Sequence, residues 1–333
     1  MLTTRFTRLA GVEHPVVLGG MGTGTSAPLV SAVSAAGGLG ILSASHISPE
    51  KLRAEVAAIR AATDRPFGLN YLLAFCDDEH VAIGLALRPK VMSFAWPRLD
   101  QDLSAHFARA HEIGALVVHM VSTAAEAVRV AAAGADVIVA QGTEGGGHVG
   151  QMASMVLIPQ VVRAVPDRPI LAAGGVANGA GLAAALAFGA DGVLLGTRFL
   201  ATPEAPIHPN YKQAIVDSDG TDTILTDIPD IIQAREWPGA TNRVVRNRLI
   251  EKWLGREPAL RQHRAEEAAA LARAREAGDR EWGSVGTGQI AGLIDRIEPA
   301  GDIVRRISAE GERIIAERLA GLVSGAGAVA GGR

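Results

Sequence analysis

Between residues 15 and 199, short apolar runs rich in β-branched residues recur, each followed by Gly, Ser, Asn or Thr. Eight stand out: PVVLGG from 15, LGILSAS from 39, PFGLNYL from 66, VMSFAW from 91, LVVHMV from 116, VIVAQGT from 137, PILAAGG from 169 and GVLLGTRF from 192. Nearly continuous apolar runs of this length read as strands buried on both faces. Most are separated by stretches of helical spacing, such as SPEKLRAEVAAIRAAT and TAAEAVRVAAAG, where Ser or Thr caps the start and Gly closes the second. Strand then helix, eight times over, predicts an α/β protein whose parallel sheet closes into a (β/α)8 barrel, the TIM-barrel architecture. An open, doubly wound sheet is the alternative reading of the same alternation.

The texture changes after Phe199. Residues 205–285 carry Pro, Asp and Trp and then the charged helical stretch REPALRQHRAEEAAALARAREAGDREW. This predicts a helical cap inserted after the eighth strand, too thinly striped to hold a core of its own, so that Trp237, Trp253 and Trp282 anchor it on the barrel mouth or at a contact between two copies. Residues 286–325 would return one or two helices to the barrel, so that 1–204 and 286–325 form one domain. The tail, 326–333, has nothing to bury and is expected to be flexible.

Composition narrows the function. The 333 residues are 48% apolar and 20% charged, as in a folded soluble protein. A net charge of −3, from 32 basic and 35 acidic residues mixed along the chain, leaves no footprint for nucleic acid or an anionic membrane. Small-molecule chemistry is the expectation. Cys76 is the single cysteine, so there is no internal disulfide and no thiol pair for zinc. The uncharged runs 15–49 and 169–190 are broken by Gly, Ser, Asn and Pro, unlike a membrane span. With no apolar signal-peptide core near the N-terminus, a cytoplasmic location is expected.

In such a barrel the site is built from loops at the carboxyl ends of the strands. Here those ends read GGMGTG, GLN, QGTEGGGHVG, AAGGVANG and GTRF. Glycine lets backbone N–H groups approach an anion, and the last two loops are where such barrels often hold phosphate. Gly174, Gly175, Gly196 and Thr197 are therefore candidates for a phosphate cradle. Gly20 and Gly22 allow the chain to lie against a flat group, with Met21 covering its face. Asn70 and Gln141 offer amides to the polar edge of a heterocycle. Each of these groups has a plainer reading, as a strand-ending turn or a partner for nearby backbone.

His148 follows three glycines at the active end of the sixth run. The expectation is an imidazole on a flexible loop, bent over the barrel mouth to take a proton from a carbon acid. His119, within the fifth run, points either into the barrel or toward the helices. Glu144 reads as a loop carboxylate, with orientation of His148 as its alternative role. No G-x-G-x-x-G fingerprint for a tightly bound nicotinamide sits convincingly between strand and helix, which leaves transient hydride donation open.

Taken in order, GGMG, AGGLGIL, FGLN, QGTEGGGHVG, AAGGVANG and GTRFLAT resemble the nitronate monooxygenase family, across nearly the whole barrel and on through GTGQIAGLI. The resemblance implies FMN as cofactor and His148 as catalytic base. It implies flavin contacts from Gly20, Met21, Gly22, Asn70, Gln141 and Gly147, with the FMN phosphate on Gly174, Gly175, Gly196 and Thr197, and no metal. It also implies a reaction in which O2 oxidises an alkyl nitronate to a carbonyl compound and nitrite. A homodimer is the oligomeric state to test. One departure stands out: some members carry a lysine at the end of the fifth strand, where this chain has Met120. The EGGGH spelling also resembles flavin enzymes acting on acyl thioesters, including enoyl-acyl-carrier-protein reductases and steroid-ring CoA-ester oxidoreductases. A sugar-phosphate isomerase or aldolase would want a strand lysine or paired carboxylates, which these runs lack.

Overall fold

The structure, a computed structural model, describes residues 2–323; the tail expected to be flexible lies outside the described residues. Its strands are β1 (Val16–Leu18), β2 (Leu39–Ser43), β3 (Phe67–Leu72), β4 (Val91–Ala95), β5 (Leu116–Val121), β6 (Val137–Gln141), β7 (Gly147–Val149), β8 (Ile170–Ala173), β9 (Gly192–Leu195), β10 (Thr223–Thr226) and β11 (Thr241–Val245). Eight of them, β1 to β6 with β8 and β9, form a closed parallel barrel. Closure comes from β1 against β9, with Val16 opposite Val193 and Leu18 opposite Leu195. The eight apolar runs are these eight strands, and the open-sheet alternative falls.

Alternation along each strand sorts the side chains into two layers. Val17, Leu39, Ile41, Val118, Val139 and Leu171 fill the barrel, and Phe6 and Ala10 of the helix Arg5–Ala10 pack with them. The alternate residues, such as Leu18, Leu42, Phe94 and Val117, face the surrounding helices. Capping fixes where those helices begin. Ser48, Asp77, Asp102, Thr123 and Asn178 each accept a backbone N–H from the first turn of the helix that follows. The carboxyl ends of β2, β3, β4, β5 and β8 thus pass into loops whose far ends are pinned.

The helix after β9, Thr197–Leu200, is too short to cover its strand. Helix Ala300–Arg313 takes that place instead, with Ile303, Val304 and Ile307 fully buried in the strand–helix layer. Its contact with helix Gly179–Ala187 is close: a Cβ on Gly179 would lie 2.5 Å from Glu310 Cβ and from the Gly311 nitrogen.

The segment 205–285 is not purely helical. It holds β10 and β11, which pair antiparallel with each other, while β11 pairs antiparallel with β7. TILT and TNRVV are β-branched runs that the eye passes over beside the long charged helix. The segment also has its own apolar cluster, including Ile228, Ile232, Leu249, Trp253, Leu260 and Leu271. Trp253 therefore packs inside the segment, and Trp282 is 40% exposed. Trp237 alone of the three reaches the barrel loops, against Phe75 and Trp96.

Candidate active site

The glycine-rich loops converge at the carboxyl end of the barrel through close approaches that a side chain would block. A Cβ on Gly20 would sit 2.5 Å from Asn70 Cβ, and one on Gly196 would come within 3.3 Å of Met21 Sδ. These contacts join the loop after β1 to the end of β3 and to the loop after β9. Gly174 and Gly175 turn in the left-handed region, at φ 82° and 73°, which favours glycine. A Cβ on Gly174 would meet the Gly142 carbonyl oxygen at 2.7 Å, so the loops after β6 and β8 also touch. Thr197 Oγ1 accepts the Gly288 N–H at 2.9 Å, while a Cβ on Gly146 would fall 2.5 Å from Gly288 N. Gly22, at φ 53°, has open space where a Cβ would go. The structure thus brings the candidate residues from five loops to one end of the barrel.

Here the expectation of a flexible histidine loop is corrected. His148 lies in β7, opposite Asn242 of β11; of its three glycines Gly145 and Gly146 are closely packed, and Gly147 supplies a left-handed turn at φ 70°. Glu144 does not orient it. Its carboxylate accepts from Ser154 N at 3.0 Å and from Ser154 Oγ at 2.9 Å, capping helix Ser154–Ala164, whose own N-cap residue Ala153 makes no side-chain bond. The partner of His148 is Asp230, on helix Ile228–Gln233, with both carboxylate oxygens 3.0 Å from Nε2. A carboxylate only accepts, so Nε2 carries the proton and the lone pair is left on Nδ1. The Trp237 ring lies on the imidazole, centroids 3.4 Å apart and planes within 12°. Strand pairing, the hydrogen bond to Asp230 and the stack together hold one orientation, with the His148 side chain 16% exposed.

Asp230 went unread in the sequence, although a signal was present. In TILTDIPDIIQ a carboxylate stands among Ile228, Ile231 and Ile232, and an acid in an apolar helix is rarely buried unless paired. It is 5% exposed.

His119 points toward the helices, against Phe107, with both ring nitrogens buried and unpartnered. Burial pushes its imidazole down to about 4, so it is neutral at physiological pH. Met120 faces the barrel interior. Both residues line a cavity of about 320 Å³ together with Trp96, Val121, Pro238 and Gly239. Trp96 also meets the Trp237 ring edge-on at 6.2 Å. Ser122, Glu126 and Arg129 share its wall, so this recess at the ends of β4 and β5 is of mixed polarity, and the Trp96 ring links it to the His148 stack.

Four buried polar atoms without partners lie on or beside this arrangement: Gln141 Oε1, Trp237 Nε1, Asn242 Oδ1 and Thr287 Oγ1. Asn242 faces His148 across the strand pair, and Thr287 backs onto Gly146. Buried orphans are costly unless a bound group satisfies them. Among the described residues no group of three or more His, Cys, Asp or Glu is placed to hold a metal ion. Nor is any described helix long and apolar enough to cross a membrane.

A closed parallel barrel with its polar and glycine-rich loops gathered at the strand carboxyl ends is the plan of a TIM-barrel enzyme. The nitronate monooxygenase family model matches residues 3–81 and 73–310, and the chain belongs to that family of oxidoreductases. It is 41% identical over 255 residues to the (3aS,4S,5R,7aS)-5-hydroxy-7a-methyl-1-oxo-octahydro-1H-indene-4-carboxyl-CoA dehydrogenase of Mycobacterium tuberculosis, covering 75% of this chain and 68% of that one. FabK from Thermotoga maritima superposes with a TM-score of 0.87 at 36% identity, covering 97% of this chain and all of the other (100%). Nitroalkane oxidase from Streptomyces ansochromogenes gives 0.80 at 29% identity, over 96% and 99% of the two chains.

Proposed function

We propose that the protein is an FMN-dependent oxidoreductase of an acyl thioester, with a coenzyme A ester as substrate. The carrying observation is the His148–Asp230 pair. Oxidising a preformed nitronate needs no base, since its α-proton has already gone, whereas desaturating a thioester begins with loss of the α-proton. An imidazole fixed by a buried carboxylate is built for that proton. Nδ1 would take it, and Asp230 would stabilise the charge that then develops on the ring. The likeness to a carboxyl-CoA dehydrogenase supports the same choice.

The residues present fit the flavin. Gln141 Oε1 supplies an acceptor for a ring N–H, Gly20 and Met21 offer a flat wall, and the left-handed turn at Gly174 and Gly175 with Gly196 and Thr197 forms one phosphate cradle. One cradle, with no Rossmann unit for an adenosine half, favours FMN over FAD. When bound, the flavin supplies the two-electron acceptor for the hydride leaving the β-carbon. Oxidation of nitronates is the second reading, favoured by the family match.

Anaerobic mixing separates the two. Purified protein should be yellow, and a saturated acyl-CoA should bleach it while a nitronate should not. His148→Asn should keep the flavin and slow thioester oxidation on the order of 10²–10⁴-fold, the usual cost of losing a positioned base. Asp230→Asn should lower kcat by a smaller factor at unchanged KM. Bleaching by the nitronate alone would install the second reading, and colourless protein that takes up no FMN would remove both.

A further inference from the structure

A second recess, of about 210 Å³, lies on the other side of Asp230 and is lined by Arg235, Arg261 and Arg264. Among the described residues none of the three side chains has an ion pair or hydrogen bond, unlike Arg5, Arg280 and Arg306, which pair with Asp191, Asp217 and Glu298. The acids in its wall are Glu236 and Asp230, and Asp230 is committed to His148. Three guanidinium groups around one recess repel each other unless an anion sits between them. Arg235 is placed there by a left-handed residue, Ala234 at φ 54°, whose turn closes with the Arg235 N–H on the Asp230 carbonyl at 2.9 Å. It also stands near the barrel mouth: burial first, and the Arg235 cation second, push down the imidazole of His46, in the loop after β2. Arg275, bonded to Gln233 Oε1 at 3.4 Å, adds a fourth cation to the same segment.

We infer that Arg235, Arg261 and Arg264 form a docking site for the polyphosphate of a nucleotide. Guanidinium forks match phosphate oxygens in pairs, and three of them suit a group carrying more than one phosphate. Two molecules bring that chemistry to a flavin oxidoreductase: the coenzyme A portion of a thioester, and NADPH as hydride donor. The inference deepens the thioester reading and rests on it for the first of these sources. The site also ties recognition to chemistry, since Arg235 lies just past the end of the helix that holds His148 through Asp230, and its backbone N–H bonds the Asp230 carbonyl.

The test is calorimetric binding of coenzyme A, NADPH and inorganic pyrophosphate to the flavin-loaded enzyme, and to Arg235→Ala and the double variant Arg261→Glu/Arg264→Glu. All three substitutions remove side chains that hold nothing else in place. At least one nucleotide should bind the wild type and lose about 10–100-fold in affinity in the variants, with tighter binding at low salt. Loss for coenzyme A assigns the site to the substrate, seen also as a raised KM for acyl-CoA but not for acyl-pantetheine; loss for NADPH assigns it to the donor. Nucleotide affinities unchanged in the variants, or weakening for pyrophosphate alone, would overturn the inference. Failure of the thioester reading shows separately, as a wild type that oxidises neither acyl-CoA nor acyl-pantetheine.

Discussion

His119 shows what a single buried side chain does to stability. Its imidazole is lowered from 6.5 to about 4 by burial, with no partner for either nitrogen. Between those values the unfolded chain binds a proton that the folded chain does not. Stability is then complete above about pH 6.5 and falls as pH drops toward 4, by on the order of 3 kcal/mol from this group. His14, His46 and His106 are lowered in the same direction, with burial as the leading cause for each. His119→Gln should therefore flatten, without abolishing, the fall of the melting temperature from pH 7 to pH 4. An unchanged slope would mean that His119 is protonated inside the fold. His148 is the contrasting case, an imidazole given a carboxylate and a stacked indole where neither ring nitrogen of His119 has a side-chain partner.

Among the elements, the loop from β6 to β7 shows why glycine recurs beside the base. Gly146 and Gly147 look alike in the sequence and differ in the structure. A Cβ on Gly146 would meet backbone, Gly288 N and Thr287 C at 2.5 Å, atoms that cannot swing aside. Gly147 has open space but sits at φ 70°. Gly146→Ala should cost about 1–3 kcal/mol through forced backbone shifts, and Gly147→Ala about 1 kcal/mol through the left-handed conformation. Urea unfolding of the two variants checks the order; a larger loss at Gly147 would mean that close approach is not what the triplet serves. The eight barrel strands were legible because burial on both faces leaves a continuous apolar run. β10 and β11 were not, since they are only partly buried, with Ile224 half-buried and Leu225 exposed, and so leave no continuous apolar run.

For the whole molecule, barrel completeness depends on residues far from the barrel in sequence. Helix Ala300–Arg313 covers the strand that the four-residue helix after β9 leaves bare, with Ile307 fully buried. Ile307→Ala should destabilise the entire barrel cooperatively by about 2–5 kcal/mol, read as one shifted unfolding transition. A change of a few tenths would place this helix outside the barrel's packing. The sequence by itself determined eight buried strands alternating with helices, the return of a C-terminal helix and the loops in which glycine, amide and imidazole gather, because local periodicity and turn chemistry encode each of these; closure of the sheet was settled by β1 pairing with β9. Which groups then meet was decided only by the tertiary structure. Asp230 is 82 residues from His148, Asn242 and Trp237 are comparably remote, and Glu144, four residues away, turns instead to Ser154. The reason is physical: spacing along a chain fixes the face a side chain occupies on its own element, whereas its partner is set by how separate elements pack.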